Sequence, residues 1–138
     1  MTNVQFYLIE TSDPADQFRY ALQLALQQLA LGKHLHIHTA SAVATRQMQA
    51  LFVDKLSHGD ERLSIDHQGE PENTRDVLVN LSAEVPHFFS SFATTLEVIC
   101  TGGNGGSNGK DTGRERYRYY KSRGYPCLLY TSPSPRDS

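Results

Sequence analysis

Short apolar runs alternate with helical patterns along the chain, and this alternation limits the possible folds more than any other feature. The first run, residues 4–9, holds aromatic and branched side chains and is typical of a buried strand. Apolar residues then recur at helical spacing over residues 15–31, and Gly32 follows as a stop. Strands separated by helices favour a mainly parallel sheet covered on both faces. We therefore predict a single α/β domain.

The same patterns predict the remaining elements. Four further strands are predicted over residues 34–39, 62–66, 76–81 and 95–100. The strand over residues 62–66 has a weak pattern and is predicted to lie at a sheet edge. Three further helices are predicted over residues 41–55, 86–92 and 110–123. The prediction is thus a five-stranded sheet with helices on both faces.

Composition excludes several classes of protein. No stretch approaches the roughly 18 uninterrupted apolar residues of a membrane span. The first residues lack the basic and apolar regions of a secretory signal, and two cysteines cannot form a disulfide framework. We expect a cytoplasmic protein without a membrane partner.

The last twelve residues have a composition of their own. Residues 127–137, CLLYTSPSPRD, resemble the translated transposase end of a sequencing adapter. The alternative is a natural tail rich in serine and proline. We predict that residues 127–138 are not native and that the α/β domain spans residues 1–126, with Cys100 as its one cysteine.

Charge is divided unevenly along the chain. Residues 1–109 carry six basic and twelve acidic side chains, a net charge of −6. Residues 110–126 carry six basic and two acidic side chains, a net charge of +4. A basic element on an acidic body argues against wrapping duplex DNA and favours a local site for an anion or an acidic peptide.

A glycine-rich loop precedes the last predicted helix and invites comparison with a phosphate-binding loop. Residues 101–109 hold five of the ten glycines. A P-loop would need glycine where Asn104 stands and serine or threonine where Asp111 follows Lys110, and the dinucleotide pattern fails at Asn108. The loop is therefore predicted to be a flexible connector, with no cofactor.

Histidines and cysteines do not form a recognisable reactive site in the sequence. His34, His36 and His38 share one strand face, where side chains fan out instead of converging on one metal. His87 and Cys100 could pair as base and nucleophile, but Cys100 ends an apolar strand, where cysteine is usually inert packing. No residue is predicted to be catalytic or to bind a metal.

The last predicted helix carries the strongest functional pattern. Lys110, Arg114, Tyr117 and Lys121 follow i, i+4, i+7 and i+11, so three cations and one aromatic ring share a face. Such a face suits a ligand that joins carboxylates to an apolar or aromatic group. The spacing is equally compatible with a solvated basic helix whose tyrosines pack inward.

The chain resembles the chi subunit family of bacterial DNA polymerase III, a group of clamp-loader accessory proteins. The resemblance covers nearly all of residues 4–126, and its most specific piece is RERYRYY. Its segments are FYL at 6–8, LGKHLHIHT at 31–39, RDVLVNL at 75–81, EVPHFF at 84–89, RERYRYY at 114–120 and RGYP at 123–126.

The resemblance implies a fold like that of nucleotide-binding domains, without a phosphate loop or catalysis. It also implies two partners: the acidic C-terminal tail of single-stranded DNA-binding protein (SSB), and the psi subunit, which connects to the clamp loader. The tail site would use Lys110 and Arg114 for carboxylates and Tyr117 for the terminal aromatic residue. DNA would be reached only through SSB. The region after Phe52 lacks the Phe-x-Pro-His stretch of the family, so no psi-contact residues are assigned.

Two other functions compete with this one. The Arg/Tyr helix could bind single-stranded DNA directly through stacking and phosphate contacts. A nucleotide-dependent enzyme would rest on fold analogy alone, and the missing phosphate motif counts against it.

Overall fold

A computed structural model describes residues 1–56, 60–72, 76–102 and 107–133, with backbone alone at residues 107–110 and 132–133. Within these ranges the chain forms six strands and three α-helices. In chain order they are β1 (Asn3–Glu10), α1 (Pro14–Ala30), β2 (Leu35–His38), α2 (Ala42–Phe52), β3 (Leu63–Asp66), β4 (Val77–Asn80), β5 (Thr94–Cys100), α3 (Ser107–Ser122) and β6 (Cys127–Pro133). A 3₁₀ turn, Phe89–Ser91, connects β4 to β5.

The strands form one parallel sheet in the order β3-β2-β4-β5-β1-β6. The predicted α/β class and parallel sheet are confirmed, and β3 lies at an edge as predicted. Because every strand points the same way, all carboxyl ends meet at one side of the sheet, called here the carboxyl edge. α3 connects the end of β5 to the start of β6, so it begins at the carboxyl edge and runs antiparallel to the strands.

Local signals explain where the first two helices begin and end. The Asp13 side chain accepts a hydrogen bond from the Ala15 amide at 2.9 Å, with Pro14 as the first helical residue of α1. The Ser41 hydroxyl accepts one from the Ala44 amide at 3.1 Å to begin α2. After α1, Gly32 adopts φ of 80°, a conformation that glycine takes without strain. Both predicted helices are confirmed.

The alternation of side chains along the strands divides the core into two layers. On one face α1 and α2 cover a cluster that includes Leu24, Ala25 and Met48. On the other face α3 and the 3₁₀ turn cover a cluster built around Phe6 and Tyr120, whose ring centroids lie 5.9 Å apart. The predicted coverage of both faces is therefore confirmed.

The structure differs from the predictions in three further respects. The predicted helix over residues 86–92 is only the 3₁₀ turn, because β4 and β5 are adjacent and a short connection is enough. α3 begins at Ser107, three residues before the predicted start, so Gly109 lies inside the helix. The sheet has six strands instead of five.

The sixth strand lies in residues that were predicted not to be native. β6 pairs with β1 from Val4↔Cys127 to Glu10↔Pro133. It covers the free backbone of β1, which otherwise would be an open sheet edge. The side chains of Leu128 and Leu129 nevertheless remain 56% and 51% exposed. The pairing shows how residues 127–133 fold and does not show whether they are native. The domain boundary at residue 126 therefore stays a prediction.

No helix in the described ranges is long and apolar enough to cross a bilayer.

Candidate functional site

A groove of about 470 Å³ lies between α3 and the two neighbouring strands β1 and β6. Its floor and walls come from three places on the α3 side of the sheet. They are Leu8 and Glu10 of β1 with Thr101 after β5; Gly113, Arg114, Tyr117 and Arg118 of α3; and Leu129 and Thr131 of β6. We call this the α3 groove.

The floor of the α3 groove is apolar because of strand alternation. Leu8 has the same orientation as the buried residues Val4 and Phe6, which pack beneath α3. Leu129 pairs with Phe6, and Thr131 pairs with Leu8, so both point to this face. Gly113 leaves room above Leu8, since a Cβ at this position would lie 3.6 Å from Leu8 Cδ2.

The helix wall presents one aromatic ring between positive charges. Tyr117 is half-buried, with its ring centroid 5.9 Å from that of Phe6. Arg114 and Arg118 are exposed on the turns beside it, and Lys121 Nζ lies 5.9 Å from the Tyr117 ring centroid. None of these three cations forms an ion pair with another described residue. The wall therefore offers cations that form no ion pair within the described part of the chain, beside an apolar surface.

The predicted site residues are only partly brought together. Arg114 and Tyr117 line the α3 groove, and Lys121 contacts the ring of Tyr117 without lining the groove. Lys110 belongs to α3, but its side chain lies outside the described part of the structure. The helical pattern missed Arg118, although its position four residues after Arg114 was available as a signal.

A buried ion pair fixes the opposite face of α3. Arg116 Nη1 donates to Glu97 Oε1 at 2.5 Å, and the Tyr120 hydroxyl donates to Glu97 Oε2 at 2.7 Å. The amide of Asn80 donates to both Glu97 oxygens at 3.1 Å, and Arg116 Nη2 donates to the Ser82 carbonyl at 2.8 Å. Burial, followed by the charge of Glu97, raises the pKa of Tyr120. Because Arg116 and Tyr120 point into the sheet, Arg114 and Arg118 point away from it.

The other tyrosines near the end of α3 have partners within the fold. Tyr120 is fully buried, and the Tyr125 ring centroid lies 4.9 Å from that of Phe89. The guanidinium of Arg123 lies 3.8 Å from the centroid of the Tyr119 ring and covers it. Tyr117 is thus the tyrosine of α3 that lines the groove.

The histidines of β2 pack against an aromatic side chain of the core. His36 and His38 lie on the side of the sheet that holds Phe88, with ring centroids 6.1 and 5.5 Å from it. Burial lowers the pKa of His36 to about 4, so this imidazole is neutral near pH 7. No group of three His, Cys, Asp or Glu within the described ranges is arranged to hold a metal ion.

The remaining sequence candidates add no reactive group. Burial raises the pKa of the Cys100 thiol to about 11, which keeps it protonated and unreactive. The flexible glycine-rich connector was predicted over residues 101–109, and the structure contradicts this at both ends. Thr101 and Gly102 form backbone hydrogen bonds to Ile9 and Thr11, and residues 107–109 belong to α3. Residues 103–106 lie outside the described ranges.

Comparison with known proteins identifies a family for this arrangement. The family model of the DNA polymerase III chi subunit, HolC, matches residues 1–127. The DNA polymerase III subunit chi of Pseudomonas aeruginosa is 27% identical, over 96% of this chain and 99% of that relative. Both comparisons extend across the α/β domain and α3. The chain therefore belongs to the chi subunit family of DNA polymerase III, whose members are accessory subunits of the replicative polymerase.

Proposed function

We propose that the chain is a non-catalytic adaptor that binds the acidic C-terminal tail of SSB in the α3 groove and so links SSB-coated DNA to the clamp loader. One observation carries this proposal. Arg114 and Arg118, both free of ion pairs with described residues, border an apolar groove into which Tyr117 faces.

The chemistry of the groove matches a peptide that ends in aspartate and phenylalanine residues. The apolar floor at Leu8 provides a surface for an aromatic side chain, which Tyr117 can contact at its edge. Leu129 also lines this floor, but it belongs to the residues predicted not to be native, so the proposal rests on Leu8 and the residues of α3. The two guanidinium groups can hold the carboxylates through charge-assisted hydrogen bonds. A volume of about 470 Å³ falls within the range of small-ligand pockets.

The exposed position of the cations predicts modest affinity. Arg114, Arg118 and Lys121 are all exposed, so water and salt screen their attraction for a carboxylate.

Direct binding of single-stranded DNA is the competing proposal, and the tyrosine arrangement weighs against it. Sequence-independent binding of this kind relies on several aromatic side chains that stack on successive bases. Here Tyr120 is buried, Arg123 covers Tyr119, and Tyr125 packs on Phe89. Titration with a bare oligonucleotide separates the two proposals, because the adaptor is expected to bind it negligibly without SSB.

We expect the variants Arg114→Ala and Tyr117→Ala each to weaken binding of a synthetic SSB tail peptide by more than about fivefold, since arginine and tyrosine dominate such interfaces. Isothermal titration calorimetry measures the affinity. The matched control is Arg123→Ala, which removes a cation that directly follows α3 and does not line the groove. Unchanged affinity in both groove variants, with unchanged thermal unfolding, contradicts the proposal.

A second groove lies on the same protein, away from the α3 groove. It measures about 450 Å³ and lies between α2 and the edge strand β3, at the opposite end of the sheet from β6. Its apolar lining residues are Phe52, Val53, Leu56, Leu63 and Ile65. We propose that psi docks here, since Val53 is 69% exposed and the position leaves the α3 groove free for the SSB tail.

We expect Val53→Asp to weaken binding of purified psi by about tenfold or more, because it puts an unpaired charge into an apolar contact. Val43→Asp is the matched control, since Val43 is also exposed on α2 and does not line this groove. Surface plasmon resonance with immobilised psi measures both. Equal effects of the two variants exclude the second groove as the psi surface.

A further inference from the structure

We propose that Glu10 is a specificity-determining residue of the α3 groove. Its negative charge disfavours binding of a carboxylate at the carboxyl-edge end of the groove. A bound acidic peptide then places its acidic residues along α3, toward Lys121. This inference rests on the proposed binding of the SSB tail and adds the orientation of the bound peptide.

Glu10 stands inside the groove that is proposed to receive an acidic ligand. It is the last residue of β1 and points to the same face as Leu8, two residues earlier. Its side chain is exposed and forms no ion pair with a described residue. A carboxylate in this position repels any carboxylate that enters beside it.

Glu10 places one negative charge at the carboxyl-edge end of the groove, beside the cations of α3 that continue toward Lys121. The carboxyl-edge end is formed by Glu10 with the ends of β5 and β6. α3 runs in the opposite direction to the strands, so Lys121 lies toward the other end, above Tyr117. Glu10 therefore reduces the attraction of Arg114 for a ligand carboxylate, whereas Arg118 and Lys121 keep theirs. The favourable path for acidic residues follows α3 away from the carboxyl edge.

The expected effect of Glu10 is moderate, because the groove is open to water. Removing one exposed like charge changes affinity by about two- to fivefold at low salt. The effect must fade when the ionic strength rises to about 0.5 M, where the Debye length falls below about 5 Å. A purely structural role of Glu10 would not show this dependence on salt.

The test compares two charge-neutral variants of the full chain, Glu10→Gln and Glu115→Gln. Glu115 is an exposed carboxylate of α3 that does not line the groove, so the pair separates a local effect from a change in net charge. Calorimetry with a synthetic SSB tail peptide is expected to show about two- to fivefold tighter binding for Glu10→Gln, and less than half of that gain for Glu115→Gln. The difference is expected to disappear at high salt.

A second peptide tests the orientation. In it the aspartates are replaced by asparagine and the terminal aromatic residue is kept. Lys121→Gln is expected to weaken binding of the acidic peptide and to leave the asparagine peptide unaffected. Equal effects of Lys121→Gln on both peptides overturn the proposed orientation.

The outcomes separate this inference from the function on which it rests. The inference alone is overturned if the wild type binds the tail peptide and Glu10→Gln does not increase the affinity. It is also overturned if Glu10→Gln and Glu115→Gln increase the affinity equally. Absence of tail binding in the wild type and in every variant overturns both the inference and the proposed function.

Discussion

Replacement of Arg116 by methionine is expected to destabilise the fold by about 3–5 kcal/mol, the cost of leaving one member of a buried ion pair without its partner. Arg116 is 6% exposed and Glu97 is fully buried. Methionine keeps much of the side-chain length but removes the guanidinium, so the Glu97 carboxylate retains only its bonds from Asn80 and Tyr120. Urea unfolding, followed by circular dichroism, measures the loss.

The control for this prediction is the double variant Glu97→Gln/Arg116→Met. Replacing a whole buried pair by neutral groups is often nearly neutral for stability, whereas breaking the pair is costly. The glutamine oxygen can still accept the hydrogen bond that Tyr120 now donates to Glu97. We expect the double variant to regain at least half of the stability lost by Arg116→Met. A double variant that loses the sum of both single losses would show that the two side chains do not act as a pair.

The same pair connects stability to the site. Arg116 and Tyr120 hold the inner face of α3 to β5, and Arg114 and Arg118 are displayed on the outer face as a result. One cation of α3, Arg116, is thus buried and fixes the orientation of the helix, whereas Arg114 and Arg118 form no ion pair with a described residue and face the groove.

Hydrophobic periodicity was sufficient to predict most of the fold. The apolar patterns and caps correctly predicted the strands β1 and β4 and the helices α1 and α2. These elements are stabilised by burial of apolar side chains that recur at the spacing of a strand or a helix. The 3₁₀ turn was predicted too long, since no local signal tells how far apart the two strands that it joins will lie. The strand β6 was not predicted, because residues 127–138 were set apart by their likeness to an adapter.

The site was only partly predictable, for a different reason. The helical spacing grouped Arg114 with Tyr117, and the structure places both in the groove. The spacing could not show that Arg116 turns inward to Glu97. The two residues are far apart in the sequence and meet only when α3 packs on the sheet. Glu10 was hidden in the same way, as the last residue of a mostly apolar strand.

The carboxyl edge of the sheet depends on one glycine after β5. The amide of Gly102 donates to the Thr11 carbonyl at 3.0 Å, and the amide of Thr101 donates to the Ile9 carbonyl at 2.8 Å. These bonds bring two backbone segments into direct contact. A Cβ at Gly102 would lie 2.5 Å from the Thr11 nitrogen and 2.7 Å from the carbonyl carbon of Glu10. Backbone atoms cannot rotate away as a side chain can, so the segments must separate.

Gly102→Ala is therefore expected to destabilise the fold by about 3 kcal/mol, at the upper end of the usual cost of overpacking. The expected result in urea is a lower midpoint with an unchanged slope, because the folded state loses contacts without losing its compactness. Gly113→Ala is the matched control: its Cβ would meet Leu8 at an ordinary 3.6 Å inside α3, where alanine is the better helix former. We expect that control to be neutral or stabilising. Equal midpoints for the two variants would mean that the contact between Gly102 and Thr11 does not limit the packing of the carboxyl edge.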